Sequence, residues 1–476
     1  MSQLYPLEPA GAEMRAMGQA ALSYVERFVE RIPEAPAVDL DGAWELAARL
    51  REAAPEHGAS FDQLLDVVAQ GAAKAVDYTS PGYMAFIPGG GLYASALADF
   101  VAAVINRYVA LSALSPPLVQ LEWTTVRWLA DMFGYPEGAR GVLTSGGSMA
   151  NLSALVTARH ARLPEDFITG TLYVTDQTHA SVAKAARIVG FPPRRVRQVA
   201  TTADLRMDVA ALREAIETDR RHGLRSFCIV ASAGTTNTGA VDPIADLAEV
   251  ARAEGLWLHV DAAYGGPFQL TDHGRDLFAG IERADSITLD PHKAMFLPYG
   301  TGALLVRDGA LLRDAHHQAS ADYLQDTDVG ERLPNFSEHS PELSRDFRGL
   351  RLWLPIKLHG LAAFREALEE KLALTRYVYD ELVATPGFEV PWGPELTVVP
   401  FRYRLSSGSA SEDVDELNAR LLERINRSGR VFLSSTRLHG RFFLRVCILC
   451  HRTHLDRVKE AVEIIRSAAT GLVGST

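Results

Sequence analysis

The chain has 476 residues, 47% of them apolar, enough for one large core with attached layers or for two to three domains. Its 59 acidic against 48 basic residues leave a net charge of −11, so no basic surface is expected for nucleic acid or an anionic membrane. The opening residues lack a basic start and an apolar stretch, and no run reaches the roughly 18 apolar residues of a membrane span, so a cytoplasmic, reducing location is expected.

Met14, Met17, Ala21, Tyr24, Val25 and Phe28 recur at helical spacing over residues 11–32, and residues 61–76 read similarly. Residues 1–77 are therefore expected to form an N-terminal helical arm. From about residue 140, short apolar runs alternate with helical patterns: 171–175 then 180–189, 227–231 then 244–253, and the runs 256–260, 286–289 and 302–306. This rhythm predicts an α/β fold with a mostly parallel central sheet, covered on both faces, within residues 78–350. Residues 315–345 are polar and poorly periodic, the pattern of a functional or disordered loop. A long helix is expected from 350 to about 383, a strand over 395–403, a helix over 414–426, a strand pair around Val431 and over 442–448, and a last helix over 454–468. These make residues 351–476 a smaller α+β unit. Within it, Cys447 and Cys450 form a C-x-x-C. With no second such pair and an apolar setting, it reads as core packing, not as a redox pair or half of a metal site.

The chemistry gathers at the ends of predicted strands, where ligands of open α/β sheets bind. Asp290-Pro291-His292-Lys293 follows the run ending at Leu289 and places a lysine amine at the edge of a buried element. Lys293 alone also reads as a solvated surface residue, but a desolvated lysine is a Schiff-base former. Asp261 ends the run that starts at Leu256; it fits a helix or turn cap, or the partner that keeps a pyridine nitrogen protonated and the ring an electron sink. Ser145-Gly146-Gly147-Ser148 precedes a helical pattern over 149–159. Ser148 is expected at the N-cap, with the glycines letting backbone N–H groups approach an anion. Neither G-x-G-x-x-G nor G-x-x-x-x-G-K-[ST] is present, which argues against dinucleotides and nucleoside triphosphates. His179 reads either as a core histidine or as a ring stacked on a pyridine. Together these pieces fit one cofactor, pyridoxal 5'-phosphate (PLP).

Five segments then resemble one family: Ser145 to Ser148, Thr175-Asp176-Gln177-Thr178-His179-Ala180-Ser181, Gly234-Thr235-Thr236, His259-Val260-Asp261-Ala262-Ala263-Tyr264 and Asp290 to Lys293. They resemble the group II PLP-dependent amino-acid decarboxylases, the aromatic-L-amino-acid decarboxylase family, over about residues 78–452. The resemblance implies PLP fold type I, a homodimer with interfacial active sites, and loss of carbon dioxide from an L-amino acid through internal aldimine, external aldimine and quinonoid. It implies Lys293 as the Schiff-base lysine, Asp261 at the pyridine nitrogen and His179 over the ring. Gly147, Ser148, Thr235, Ala263 and His292 are implied around the cofactor. Tyr323, in the long polar loop, is implied as the residue that protonates the carbon left by carbon dioxide. A tyrosine there favours an amine product over an aldehyde synthase, the first alternative; a transaminase is the other. The substrate pocket is expected at Tyr78, Phe86, Ile87, Gly89 and Gly90. Gly89-Gly90-Gly91 and the small residues over 110–116 stand where the family carries hydroxyl and aromatic side chains. The glycines read as a flexible turn, or as added room and backbone donors for a polar substrate. Asp290 stands where asparagine is common.

Overall fold

The computed structural model describes residues 7–317, 333–404 and 411–473. Its large sheet is built from β1 (Arg140–Thr144), β2 (Gly170–Thr175), β3 (Val196–Val199), β4 (Arg225–Ser232), β5 (Trp257–Asp261), β6 (Ser286–Leu289) and β7 (Gly302–Val306), in the order β1-β7-β6-β5-β4-β2-β3. Strands β3, β2, β4, β5 and β6 pair in parallel, while β7 runs antiparallel to both β6 and β1. The sheet is therefore mostly parallel, with β7 its reversed strand.

The strands read as continuous apolar runs because both faces are covered. Leu258 and Val260 face one core, with Leu212 and Ile216 of α8 (Val209–Arg221) and Leu247 and Val250 of α9 (Ile244–Glu254). Trp257 faces the other, with Ala150 and Ala154 of α6 (Gly147–Arg162) and Val182 and Ala185 of α7 (Ala180–Ile188). Successive strand residues alternate between faces, so His259 and Asp261 share the side of Trp257 and lie beneath α6.

The arm contains α1 (Gly11–Arg31), α2 (Ala43–Arg49) and α3 (Phe61–Ala73), none of which buries a residue. Two helices absent from the sequence reading follow, α4 (Tyr93–Ile105) and α5 (Pro116–Met132). Helix α4 is apolar nearly all round and so lacks the single stripe that periodicity detects; Phe100 and Val104 on it are exposed.

The small sheet is antiparallel, in the order β10-β11-β9-β8, from β8 (Phe388–Glu389), β9 (Val398–Tyr403), β10 (Ser434–Leu438) and β11 (Arg441–Cys447). It packs on α13 (Ser411–Arg427), α14 (Leu455–Val473) and the later part of α12 (Gly349–Ala384), through Leu421, Val462 and Val378. The first β-strand of the expected pair starts at Ser434, just beyond the buried Val431. Helix α12 breaks at Gly360, where φ is 74°, and it crosses the boundary expected at residue 350. Its Leu352 and Ile356 belong to the large core, and its Leu374 and Val378 to the small one. Tyr83 and Met84 also attach to the small unit, through a bridge from Tyr83 to Phe432, a hydrogen bond from Met84 N–H to Phe432 O and one from Cys447 N–H of β11 to Met84 O. Cys447 and Cys450 are free and buried, and burial pushes the Cys447 thiol up to about 12. No helix among the described residues is long and apolar enough to cross a membrane.

Candidate active site

The carboxyl ends of β1, β2, β4, β5 and β6 converge on one cavity of about 310 Å³, as expected of ligand sites in open α/β sheets. β1 delivers the glycine turn. Helix α6 starts at Gly147, and its N-cap is Gly146, at φ 157° with no side-chain cap. Ser148 therefore lies inside the first turn, which corrects the expectation that it caps the helix. A Cβ on Gly147 would stand 2.9 Å from Asp290 Oδ2, so glycine is what lets the turn approach this carboxyl. With no side chain capping them, the first-turn N–H groups suit an anion.

β2 leads to His179, the N-cap of α7. Ser181 N–H donates to His179 Nδ1 at 3.2 Å, and Ser181 Oγ lies 2.8 Å from the same nitrogen. A nitrogen that accepts cannot also hold the proton, so the neutral ring is protonated at Nε2. β5 ends in Asp261, whose Oδ1 accepts from Ala263 N–H at 3.1 Å and whose Oδ2 accepts from Asn151 Nδ2 at 2.9 Å. Beyond β6, Lys293 Nζ is 3.1 Å from Asp290 Oδ2. The other Asp290 oxygen is buried without a hydrogen-bond partner. His292 Nδ1–H donates to Thr301 O at 2.6 Å, and burial pushes the His292 pKa down. Thr235 follows β4, its Oγ1 held 2.8 Å from Thr238 Oγ1.

These residues fit PLP. The orphaned Asp290 oxygen and the uncapped glycine helix start mark a cavity built for a polar occupant, with a lysine amine on one wall and an oriented carboxylate on another. Lys293, Asp261, His179, Gly147, Ser148, Thr235, Ala263 and His292 all line it. Tyr323 lies outside the described residues.

None of the expected substrate-pocket residues lines this cavity. Tyr78 packs on Tyr83 and on the edge of Tyr299, with ring centroids 4.6 and 5.3 Å away, and Tyr299 packs on His292 at 5.3 Å. Tyr78 thus adjoins the cavity through two rings. Phe86 is exposed at φ 49°, and Ile87 is buried. Gly89 and Gly90 do not supply room, which corrects that part of the expectation. A Cβ on Gly89 would meet His292 O at 2.7 Å, and one on Gly90 would meet the His451 ring. Glycine is used there for close packing.

Sequence reading missed Asn151, which lines the cavity beside Asp261, His259 and Ser286, which sit behind that pair, and Arg445. Buried Arg445 donates to Asn237 O at 2.9 Å, Ser434 Oγ at 2.8 Å and Phe86 O at 3.1 Å, and also to Thr236 O, tying the β4 loop to the small sheet. A signal for His259 and Ser286 existed, though none for Asn151: His259 and Asp261 alternate with Leu258 and Val260 in an otherwise apolar strand, and Ser286 and Thr288 do the same in β6.

This sheet, with a lysine-centred site at its carboxyl edge, defines a PLP enzyme of fold type I. The profile of the pyridoxal-dependent decarboxylase conserved domain matches residues 45–404. The chain is 35% identical to an aromatic-L-amino-acid decarboxylase of Bacillus atrophaeus, over 97% of both chains. It is 30% identical to tryptophan decarboxylase 1 of Oryza sativa subsp. japonica, over 98% of this chain and 96% of that one. The structure matches that of Oryza sativa TDC with PLP and tryptamine at a TM-score of 0.93 and 29% identity, covering 99% of this chain and 100% of the other. The chain belongs to the pyridoxal-dependent decarboxylase family. It is a PLP-dependent carboxy-lyase that decarboxylates an L-amino acid.

Proposed function

We propose that the substrate is an aromatic L-amino acid, converted to its amine by a homodimer in which Lys293 holds PLP, Asp261 meets the ring nitrogen and His179 covers the ring. The observation that carries this reading is the convergence of these three side chains on one cavity. PLP supplies an electron sink for the pair released when carbon dioxide leaves. The chain's own groups do the rest. Asp261 brings a fixed negative charge to a ring nitrogen, and Lys293 has Asp290 beside it to accept a proton contact when its amine is free. His179, with its proton on Nε2, offers a donor to the substrate carboxylate. Gly147, Ser148, Thr235, Ala263 and His292 would hold the rest of the cofactor, the uncapped start of α6 offering its N–H groups to the phosphate. Tyr323 delivers the proton to the carbon that carbon dioxide leaves.

The aromatic preference is supported by the Tyr78, Tyr83 and Tyr299 cluster adjoining His292, and by relatives that act on aromatic amino acids. Dimerisation is supported by helices α1 to α3, in which no residue is fully buried within one chain, and by the exposed Phe100 and Val104 of α4. Mass spectrometry of products from PLP-loaded protein and a panel of amino acids tests the substrate. An aromatic amine is expected; turnover confined to glutamate or other non-aromatic acids would overturn that preference. Tyr323→Phe is expected to lose amine formation, and clean amine production by this variant would remove Tyr323 from the mechanism.

A further inference from the structure

Asp261 is aimed by a residue that does not belong to the set described above. Asn151, on α6 and 1% exposed, donates from Nδ2 to Asp261 Oδ2 at 2.9 Å and to Ser181 Oγ at 3.0 Å. Its Oδ1 lies 3.0 Å from His259 Nε2. A carboxylate only accepts, so the amide must turn its nitrogen to Asp261 and its oxygen to His259. That oxygen needs a donor. Buried His259, whose pKa burial pushes down to about 4, is neutral near pH 7, and its single proton therefore sits on Nε2. Nδ1 is then an acceptor, 2.8 Å from Ser286 Oγ, whose O–H donates a hydrogen bond to it. Ser286 Oγ in turn accepts from Trp257 Nε1–H at 2.8 Å, a group that can only donate.

Every proton between Trp257 and Asp261 thus has one place, and the chain is anchored on three elements, β5, β6 and α6. Such a fully satisfied buried network holds its end group more tightly than isolated pairs do. Asp261 Oδ1 is taken by Ala263 N–H and Oδ2 by Asn151, so two donors from different elements fix the plane of the carboxylate.

We infer that Asn151 is a positioning residue, through which the Trp257, Ser286 and His259 chain holds the Asp261 carboxylate in line with the cofactor's ring nitrogen. The inference rests on the reading of Asp261 as the ring-nitrogen partner. Its test compares PLP with 1-deaza-PLP, which carries carbon in place of that nitrogen, by titrating cofactor-free full-length protein and following intrinsic fluorescence. Wild-type protein is expected to prefer PLP. In Asn151→Ala the preference is expected to shrink by roughly ten- to hundredfold, the loss typical when an outer residue supporting a ligating group is removed.

A residue that merely packs would weaken both cofactors alike and leave their ratio unchanged. Asn151→Asp keeps the side-chain shape should the alanine variant fail to fold. It sets an acidic group against Asp261 and is expected to shrink the ratio as well. Asp261→Asn separates the two layers of the reading. If it removes the preference while both Asn151 variants keep it, Asn151 is not a positioning residue, although Asp261 stays the nitrogen partner. If Asp261→Asn keeps the preference, the placement of Asp261 fails and the inference falls with it.

Discussion

Acid will destabilise the protein through its buried histidines. Burial pushes the pKa of His259 and His339 down to about 4 and that of His451 to about 3. In an unfolded chain each titrates near 6.5. With the folded value depressed, the unfolded chain takes up the proton first as the pH falls. Each histidine's contribution is therefore whole above about pH 6.5 and is lost as the pH drops from there toward the folded value. Each pH unit in that window costs about 1.4 kcal/mol per histidine. Together the three give a slope approaching roughly 4 kcal/mol per unit and, because each unfolded ring is only half protonated at pH 6.5, a loss of about 5 kcal/mol between pH 6.5 and 5, offset in part below pH 6 by Asp242, whose carboxyl burial pushes up to about 6. That is a large share of the ~5–15 kcal/mol by which proteins are usually stable. His292 and His316 are shifted the same way and steepen the loss. The assay is urea unfolding of the PLP-loaded enzyme at fixed protein concentration, from about pH 7.5 to about 5, since association into the proposed dimer would add a concentration-dependent contribution. His339→Gln is expected to lower the slope by one proton's worth, about 1.4 kcal/mol per pH unit. A flat profile across this window, or a His339→Gln profile parallel to that of wild type, would refute the assignment of these rings as buried and neutral.

Three further outcomes are expected. Glu122 and Arg345 form an ion pair at 2.6 Å with both side chains at 0% exposure. Glu122→Gln is expected to cost about 3–5 kcal/mol in urea unfolding, because it removes the charge facing a buried guanidinium, and a loss below about 1 kcal/mol would contradict that role. Gly147→Ala puts a methyl 2.9 Å from Asp290 Oδ2. Overpacking of about 1–3 kcal/mol should appear as PLP affinity weakened about tenfold or more, and unchanged affinity would mean that the turn is not the cradle. Val104→Asp on the exposed face of α4 is expected to yield monomers in analytical ultracentrifugation, whereas a persistent dimer would place the interface elsewhere.

The parts of the site that were legible are those written into short local strings. Lys293 follows Leu289 within a few residues, and Asp261 closes the run begun at Leu256, so strand end and functional group appear together. Asn151 was not legible: it contacts Asp261 across 110 positions of sequence, and nothing near it in the chain marks an amide that will face a carboxylate. Ser148 was misplaced for a related reason. A serine before a helical pattern usually caps it, but here the glycine turn must clear Asp290, and the helix begins two residues earlier than expected. The parallel strands were legible from continuous apolar runs, whereas α4 was missed because its apolar residues are not confined to one stripe. Gly89 and Gly90 showed that small residues were needed, while the reason, the packing of His292 and His451 against them, comes from distant segments.

Helix α12 gives the molecule a seam that cannot be cut cleanly. Its early residues Leu352 and Ile356 fill the large core, its later residues Leu374 and Val378 fill the small one, and Arg445 ties the β4 loop to the second sheet. A gene fragment ending at residue 350 would encode a body with holes in its interior, and the complementary fragment would carry an apolar rod into water. The small unit is thus no interchangeable module: recombination between relatives at this point would have to bring α12 and both of its packing surfaces together, and diversification of these enzymes through this region is expected to proceed by substitution and not by swapping.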